Sequence, residues 1–103
     1  MTGSSTFTLV LGGDVSVKAA GEVLTKFRSA LEEHSTIALD TQTITHADVT
    51  TVQTLLAARN KAQSLGKSIY MSGPIGTPLK QVLDGAGFTH VSQPHAEFWT
   101  SNT

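Results

Sequence analysis

The chain has 103 residues, 39% of them apolar, a formal net charge of −1 and no cysteine. A chain of this length suits one compact domain, so we expect a single domain over residues 1–103. The near-neutral charge gives no electrostatic basis for binding nucleic acid, and the lack of cysteine excludes disulfides, thiol nucleophiles and thiolate metal sites. The expected partners are therefore proteins or small molecules.

The sequence also predicts the cellular location of the protein. No apolar run approaches the ~20 residues that a membrane span needs. The first ten residues, MTGSSTFTLV, have no basic segment followed by a long apolar core, the pattern of a secretion signal. We expect a cytoplasmic protein that does not insert into membranes.

The first half of the chain predicts two strands around a helix. Residues 6–13, TFTLVLGG, alternate in polarity and end at a glycine pair, which is typical of a strand and a turn. Residues 17–33 carry apolar side chains three and four positions apart, Val17 among them, and predict an amphipathic helix. Residues 36–40, TIALD, predict a strand buried on both faces. The polar residues 41–47 are expected to form a loop.

The second half repeats this order. Residues 49–65 predict a second helix, with Leu65 in its buried stripe and Gly66 suited to a left-handed C-terminal cap. A strand at residues 67–72 and a helix at residues 77–84 follow. Three strand–helix units with long connections predict an α/β fold, in which helices cover a mixed or mostly parallel sheet.

Phe98 and Trp99, near the C-terminus, are expected to dock on the domain, with a partner contact as the alternative.

The junction before the second helix carries the candidate site. Asp48 can accept hydrogen bonds from free amides of the first turn, the ordinary role of an N-cap residue. Thr50 and Thr51 are common residues in a first turn, which is the structural interpretation. The functional interpretation is a phosphate on one of these hydroxyls, stabilised by the free amides and the helix dipole. Such a phosphate would add roughly two negative charges and repel a partner.

The spacing of these segments resembles that of the STAS domain family, whose fold is found in anti-sigma factor antagonists. The family has a strand ending in Leu-Asp, a loop, and an Asp that opens a helix with an early Leu-Leu pair; the matching residues here are Leu39, Asp40, Ile44, Asp48, Leu55 and Leu56. The stretch LGKSIYMSGPIGTPLKQVLDGAGF is similar to the family's next turn, strand, Pro-containing loop and helix. The resemblance covers residues 6–88 and leaves a tail at 89–103. It implies about four strands covered by three to four helices.

The resemblance also implies a function. Such a domain binds an anti-sigma factor kinase while unphosphorylated and is released when the kinase phosphorylates it. The family's phosphorylated serine falls on Thr50, and Thr51 is the less favoured acceptor. The implied partner surface is the loop and the start of the second helix: His46, Asp48, Val49, Thr50 and Thr51.

Two departures from the family pattern leave an alternative open. The family motif Asp-Ser-Ser-Gly reads Asp-Val-Thr-Thr here, because Val49 replaces the first Ser and Thr51 replaces the Gly. Losing the Gly changes how closely a partner backbone could approach. The resemblance associates such changes with members that are not phosphorylated, including partners of lipid-transport ABC complexes and modules of chemotaxis or stressosome-like assemblies. A permanent adaptor with an unmodified Thr50 is the second hypothesis.

An enzyme is the third hypothesis and the least supported. His46 and Asp48 alone are a weak signal for a metal site or a catalytic base, and His90 and His95 lie in the tail. Residues 72–78, SGPIGTP, lack the Lys-Ser/Thr ending of a phosphate-binding loop and predict a loop and a helix start. We therefore expect a non-enzymatic protein with no metal site and no cofactor.

Overall fold

Strands and helices alternate along the computed structural model, which describes residues 6–85 and 98–99. In chain order the elements are β1 Thr6–Val10, β2 Gly13–Asp14, a 3₁₀ turn Val17–Ala19, α1 Ala20–Glu33, β3 Thr36–Asp40, β4 Ile44–His46, α2 Val49–Ser64, β5 Ser68–Met71 and α3 Thr77–Gly85. None of the helices in these two ranges is long and apolar enough to cross a membrane. The expected domain boundary near residue 88 and the tail residues His90 and His95 lie outside the described residues.

The main sheet has the strand order β1-β3-β5, and both of its strand pairs are parallel. Its register places Phe7 beside Ile37 and Ile37 beside Ile69. Parallel neighbours need a long crossover connection, which the chain supplies with α1 before β3 and α2 before β5. The α/β architecture with a mostly parallel sheet is thus as predicted, and every strand pair among the described residues is parallel.

A second, two-stranded parallel sheet joins β2 to β4 and corrects the prediction of a loop at residues 41–47. The amide of Gly13 donates to the carbonyl of Thr43 over 3.0 Å, and the amide of Val15 donates to the carbonyl of His46 over 2.9 Å. Strands of two and three residues are too short to show a polarity alternation. Their pairing joins segments about thirty residues apart, so the sequence pattern gave no sign of it.

The core lies between the main sheet and the helices. Both α1 and α2 pack against the sheet and against each other. Buried side chains contributed by these two helices are Val23, Phe27, Ala30 and Leu31 from α1, and Val52, Leu55, Ala58 and Ala62 from α2. Phe98 and Trp99 are also buried in this core, which confirms that they dock on the domain.

The end of α2 corrects the prediction for Leu65, whose side chain is 49% exposed. Gly66 has a φ of 73°, which few other residues adopt without strain, and it turns the chain away shortly after Ser64. The amide of Lys67 donates to the carbonyl of Ala62, and the amide of Gly66 donates to that of Gln63. These two bonds form a Schellman cap, which ends the helix before Leu65 can join its buried stripe.

Gly76 is a point of close contact between two connections, and substituting it should destabilise the fold. A Cβ at Gly76 would overlap the backbone carbonyl of Thr41, whereas a Cβ at Gly21 in α1 would meet nothing within 4 Å. We expect Gly76→Ala to lower the free energy of unfolding by about 1–3 kcal/mol through overpacking. The matched control Gly21→Ala should raise it, by up to about 1 kcal/mol, through helix propensity. Urea denaturation followed by Trp99 fluorescence measures the change for both variants. Equal effects of the two substitutions would contradict the close contact between Gly76 and Thr41.

Candidate functional site

The carboxylate of Asp48 joins the beginnings of two helical segments. One oxygen, Oδ1, accepts from the amide of Thr51 over 3.2 Å, and the Thr51 hydroxyl accepts from the amide of Asp48 over 3.1 Å. This reciprocal pair is a capping box at the start of α2. The other oxygen, Oδ2, accepts from the amide of Val17 over 3.1 Å. Asp48 therefore holds the 3₁₀ turn that leads into α1 against the first turn of α2.

Thr51 faces the interior. Its side chain is 2% exposed, and its hydroxyl donates to the carbonyl of Val15 over 2.6 Å. The same hydroxyl accepts from Asp48, so both of its hydrogen-bonding roles are used inside the protein. The predicted partner set thus includes one residue whose side chain offers almost no surface.

Thr50 and Val49 face outward from the first turn of α2. Val49 is 48% exposed and Thr50 is partly exposed. The Thr50 hydroxyl forms no hydrogen bond with any residue in the described ranges, in contrast to the hydroxyl of Thr51. His46 is exposed at the end of β4, where its Nδ1 lies 3.1 Å from the Thr45 hydroxyl.

Val17 is a further exposed residue at this place, and the sequence pattern assigned it wrongly to the buried stripe of the first helix. It is 61% exposed, because residues 17–19 form a 3₁₀ turn that precedes α1. The hydrogen bond of its amide to Asp48 brings it to the start of α2. We call Val17, His46, Val49 and Thr50 together the α2-start surface. The hydrogen bond that connects Val17 to it spans 31 residues and has no sequence signal.

Asp14 adds a fixed negative charge beside this surface, since it pairs with His46 in the β2–β4 register. Hydrogen bonds from the side chain and the backbone amide of Ser16 lower the pKa of Asp14 below its ordinary value of 3.8. The charges of His46 and Lys18 lower this pKa further, by less. Asp14 thus stays ionised over the physiological range of pH.

The side chains of the site cap the starts of helices and offer exposed surface for contact with a partner. Both oxygens of Asp48 accept from backbone amides, so this carboxylate already has partners and is poorly placed to serve His46 as an orienting acid. No group of three His, Cys, Asp or Glu side chains that could hold a metal ion occurs within the described part of the chain.

Comparison with known proteins identifies a family and a protein of similar fold. The model of the family described as "Mlab, STAS domain" matches residues 2–93. The structure of the anti-sigma factor antagonist SpoIIAA in its unphosphorylated form is similar, with a TM-score of 0.60 and 15% sequence identity over 82% of this chain and 77% of that chain. At this identity the similarity shows the fold alone. No curated protein matches the chain.

The buried hydroxyl of Thr51 should contribute more to stability than the hydroxyl of the partly exposed Thr50. Thr51→Val keeps the shape but leaves the carbonyl of Val15 and the amide of Asp48 without this partner. We expect it to lower the free energy of unfolding by about 1–3 kcal/mol. The matched variant Thr50→Val should change it by less than about 0.5 kcal/mol. Urea denaturation compares the two, and a larger loss for Thr50→Val would contradict the geometry.

The lowered pKa of Asp14 should depend on Ser16. Because the pKa is below 3.8 in the folded state, ionised Asp14 contributes stability at higher pH that is lost as pH falls through its folded pKa. Ser16→Ala should raise this pKa, since the side-chain hydrogen bond is its largest cause. Carboxyl ¹³C NMR titration measures it, with Ser29→Ala in α1 as the control. An unchanged pKa in Ser16→Ala would refute the role of the Ser16 side chain.

Proposed function

This chain belongs to the Mlab STAS-domain family, and from that premise we propose that it is a non-enzymatic regulatory protein of the cytoplasm that binds a partner protein through the α2-start surface. The observation that carries the proposal is that two exposed apolar residues, Val17 and Val49, come together at the start of α2 through the hydrogen bond of the Val17 amide to Asp48. Exposed apolar side chains gathered at one place are typical of a protein interface. The capping box holds this interface rigid before the partner arrives, which lowers the ordering cost of binding.

The first form of the proposal makes the surface a phosphorylation switch that binds an anti-sigma factor kinase. Thr50 is the acceptor, because its side chain is partly exposed whereas the hydroxyl of Thr51 is buried and bonded. The free amides and the dipole of α2 would stabilise the phosphate. Two added charges next to Val49 would have to be desolvated on binding, which would release the partner.

The second form is an adaptor bound permanently in a larger complex, such as a lipid-transport ABC system or a signalling assembly. The departures from the family motif at Val49 and Thr51 favour it. Val49 exposes apolar surface that a lasting interface would cover. Thr51 is built into the capping box by two hydrogen bonds that a Gly could not make. In this form the Thr50 hydroxyl is a contact and is never modified.

A photo-crosslinking residue at Val49, in protein expressed in its native cell, tests the surface itself. We expect a discrete adduct with one partner from Val49 and none from the control position Gln63, which is exposed near the other end of α2. Adding Thr50→Asp should weaken binding at least tenfold, about 1.4 kcal/mol, and by more than Thr50→Val, which removes the hydroxyl without adding a charge. The same adducts from Val49 and Gln63, or no adduct from Val49, would overturn the proposal.

Intact-protein mass spectrometry with site mapping separates the two forms. A fraction that carries one phosphate on Thr50, together with a kinase in the Val49 adduct, supports the switch. Protein without phosphate under growth and stress, with a subunit of a stable complex in the adduct, supports the adaptor. Phosphate on Thr51 would contradict both, because that hydroxyl is buried in the folded protein.

A further inference from the structure

A concave surface lies between the C-terminal halves of α1 and α2, away from the α2-start surface. We call it the α1–α2 groove; its volume is about 530 Å³. Phe27 and Leu31 of α1 and Ala58 of α2 form its buried floor. Leu24 and Leu65 also line it, and they are 40% and 49% exposed. Volumes of roughly 300–1,000 Å³ with an apolar lining are typical of sites for small molecules.

The charged residues of the α1–α2 groove are mainly cationic. Arg28, Lys61 and Lys67 line it, against one acidic residue, Glu32. These are three of the seven Lys and Arg residues of a chain whose net charge is −1. The Lys67 ammonium donates to the carbonyl of Leu31 at the end of α1. Arg28 and Lys61 form no ion pair with another residue of the described ranges. The groove thus has an apolar floor and cations that are available to an anion.

We propose that the α1–α2 groove binds a free fatty acid, with the alkyl chain over Phe27 and Leu31 and the carboxylate beside Arg28 and Lys61. The chain would cover the exposed parts of Leu24 and Leu65, which otherwise remain in contact with water. A single alkyl chain fits a groove of about 530 Å³.

The α1–α2 groove is separate from the partner surface. Lys61 follows Val49 by twelve residues, which is roughly 18 Å along the axis of α2. Occupation of the groove would therefore leave the α2-start surface uncovered. The two sites can be tested with separate variants, and failure at one does not imply failure at the other.

The test is a titration of ¹⁵N-labelled protein with sodium dodecanoate, below the concentration at which it forms micelles. We expect saturable shifts of amide resonances confined to residues of the α1–α2 groove. Dodecyltrimethylammonium, which has a similar chain and a cationic head, should bind more weakly. Lys61→Glu should weaken dodecanoate binding roughly three- to tenfold, by replacing an attraction with a repulsion. Lys26→Glu, the same charge change at an exposed position of α1 outside the groove, should have little effect.

A second variant tests the apolar part of the site. Ala57 is exposed at the edge of the groove, so Ala57→Leu can fill it without disturbing the core, and it should reduce binding at unchanged thermal stability. The proposal is overturned if dodecanoate gives no saturable shifts in the groove, if the cationic amphiphile binds as tightly, or if Lys61→Glu and Lys26→Glu behave alike. Lys61-dependent sedimentation with phosphatidylglycerol vesicles, without groove shifts from dodecanoate, would assign the cations to a membrane surface and also overturn it.

Discussion

The carboxylate of Asp48 is the constraint on which the arrangement of the site depends. It accepts one hydrogen bond from the first turn of α2 and one from the turn that precedes α1, so a single side chain satisfies amides of two helical segments. Helix starts leave several amides without intrahelical partners, and a charged acceptor is a strong partner for them. Without this link, Val17 would lose the hydrogen bond that holds its amide at the start of α2.

The same network gives a physical reason for the departure from the family motif at Thr51. A Gly at that position could allow close approach of a partner backbone, but it could not complete the capping box or bond to the carbonyl of Val15. With Thr51 in its place, the chain forms these internal hydrogen bonds but does not allow the same close approach of a partner backbone. The first turn of α2 is therefore rigid, and Val49 and Thr50 lie at defined positions on it. Such stiffness serves a lasting contact and a switched contact equally well.

The helix pair presents different chemistry at its two ends. Near the start of α2, exposed valines and the Thr50 hydroxyl lie beside the negative charge of Asp14. Near the ends of both helices, a groove with an apolar floor is flanked by Arg28 and Lys61. Because α1 and α2 pack on each other and on one sheet, the two places are joined by a rigid body. The proposed protein partner and the proposed fatty acid therefore belong to separate surfaces of one scaffold.

The sequence by itself determined the three α-helices, the three strands of the main sheet, the cap at Asp48 and the turn at Gly66, because each leaves a local signal in periodicity or in residue type. The resemblance of the sequence to the STAS family also indicated the fold. Only the tertiary structure decided that β2 pairs with β4, that Thr51 is buried while Thr50 is not, and that Val17 is exposed beside α2. These features depend on hydrogen bonds between residues about thirty or more positions apart, and no local pattern encodes such contacts.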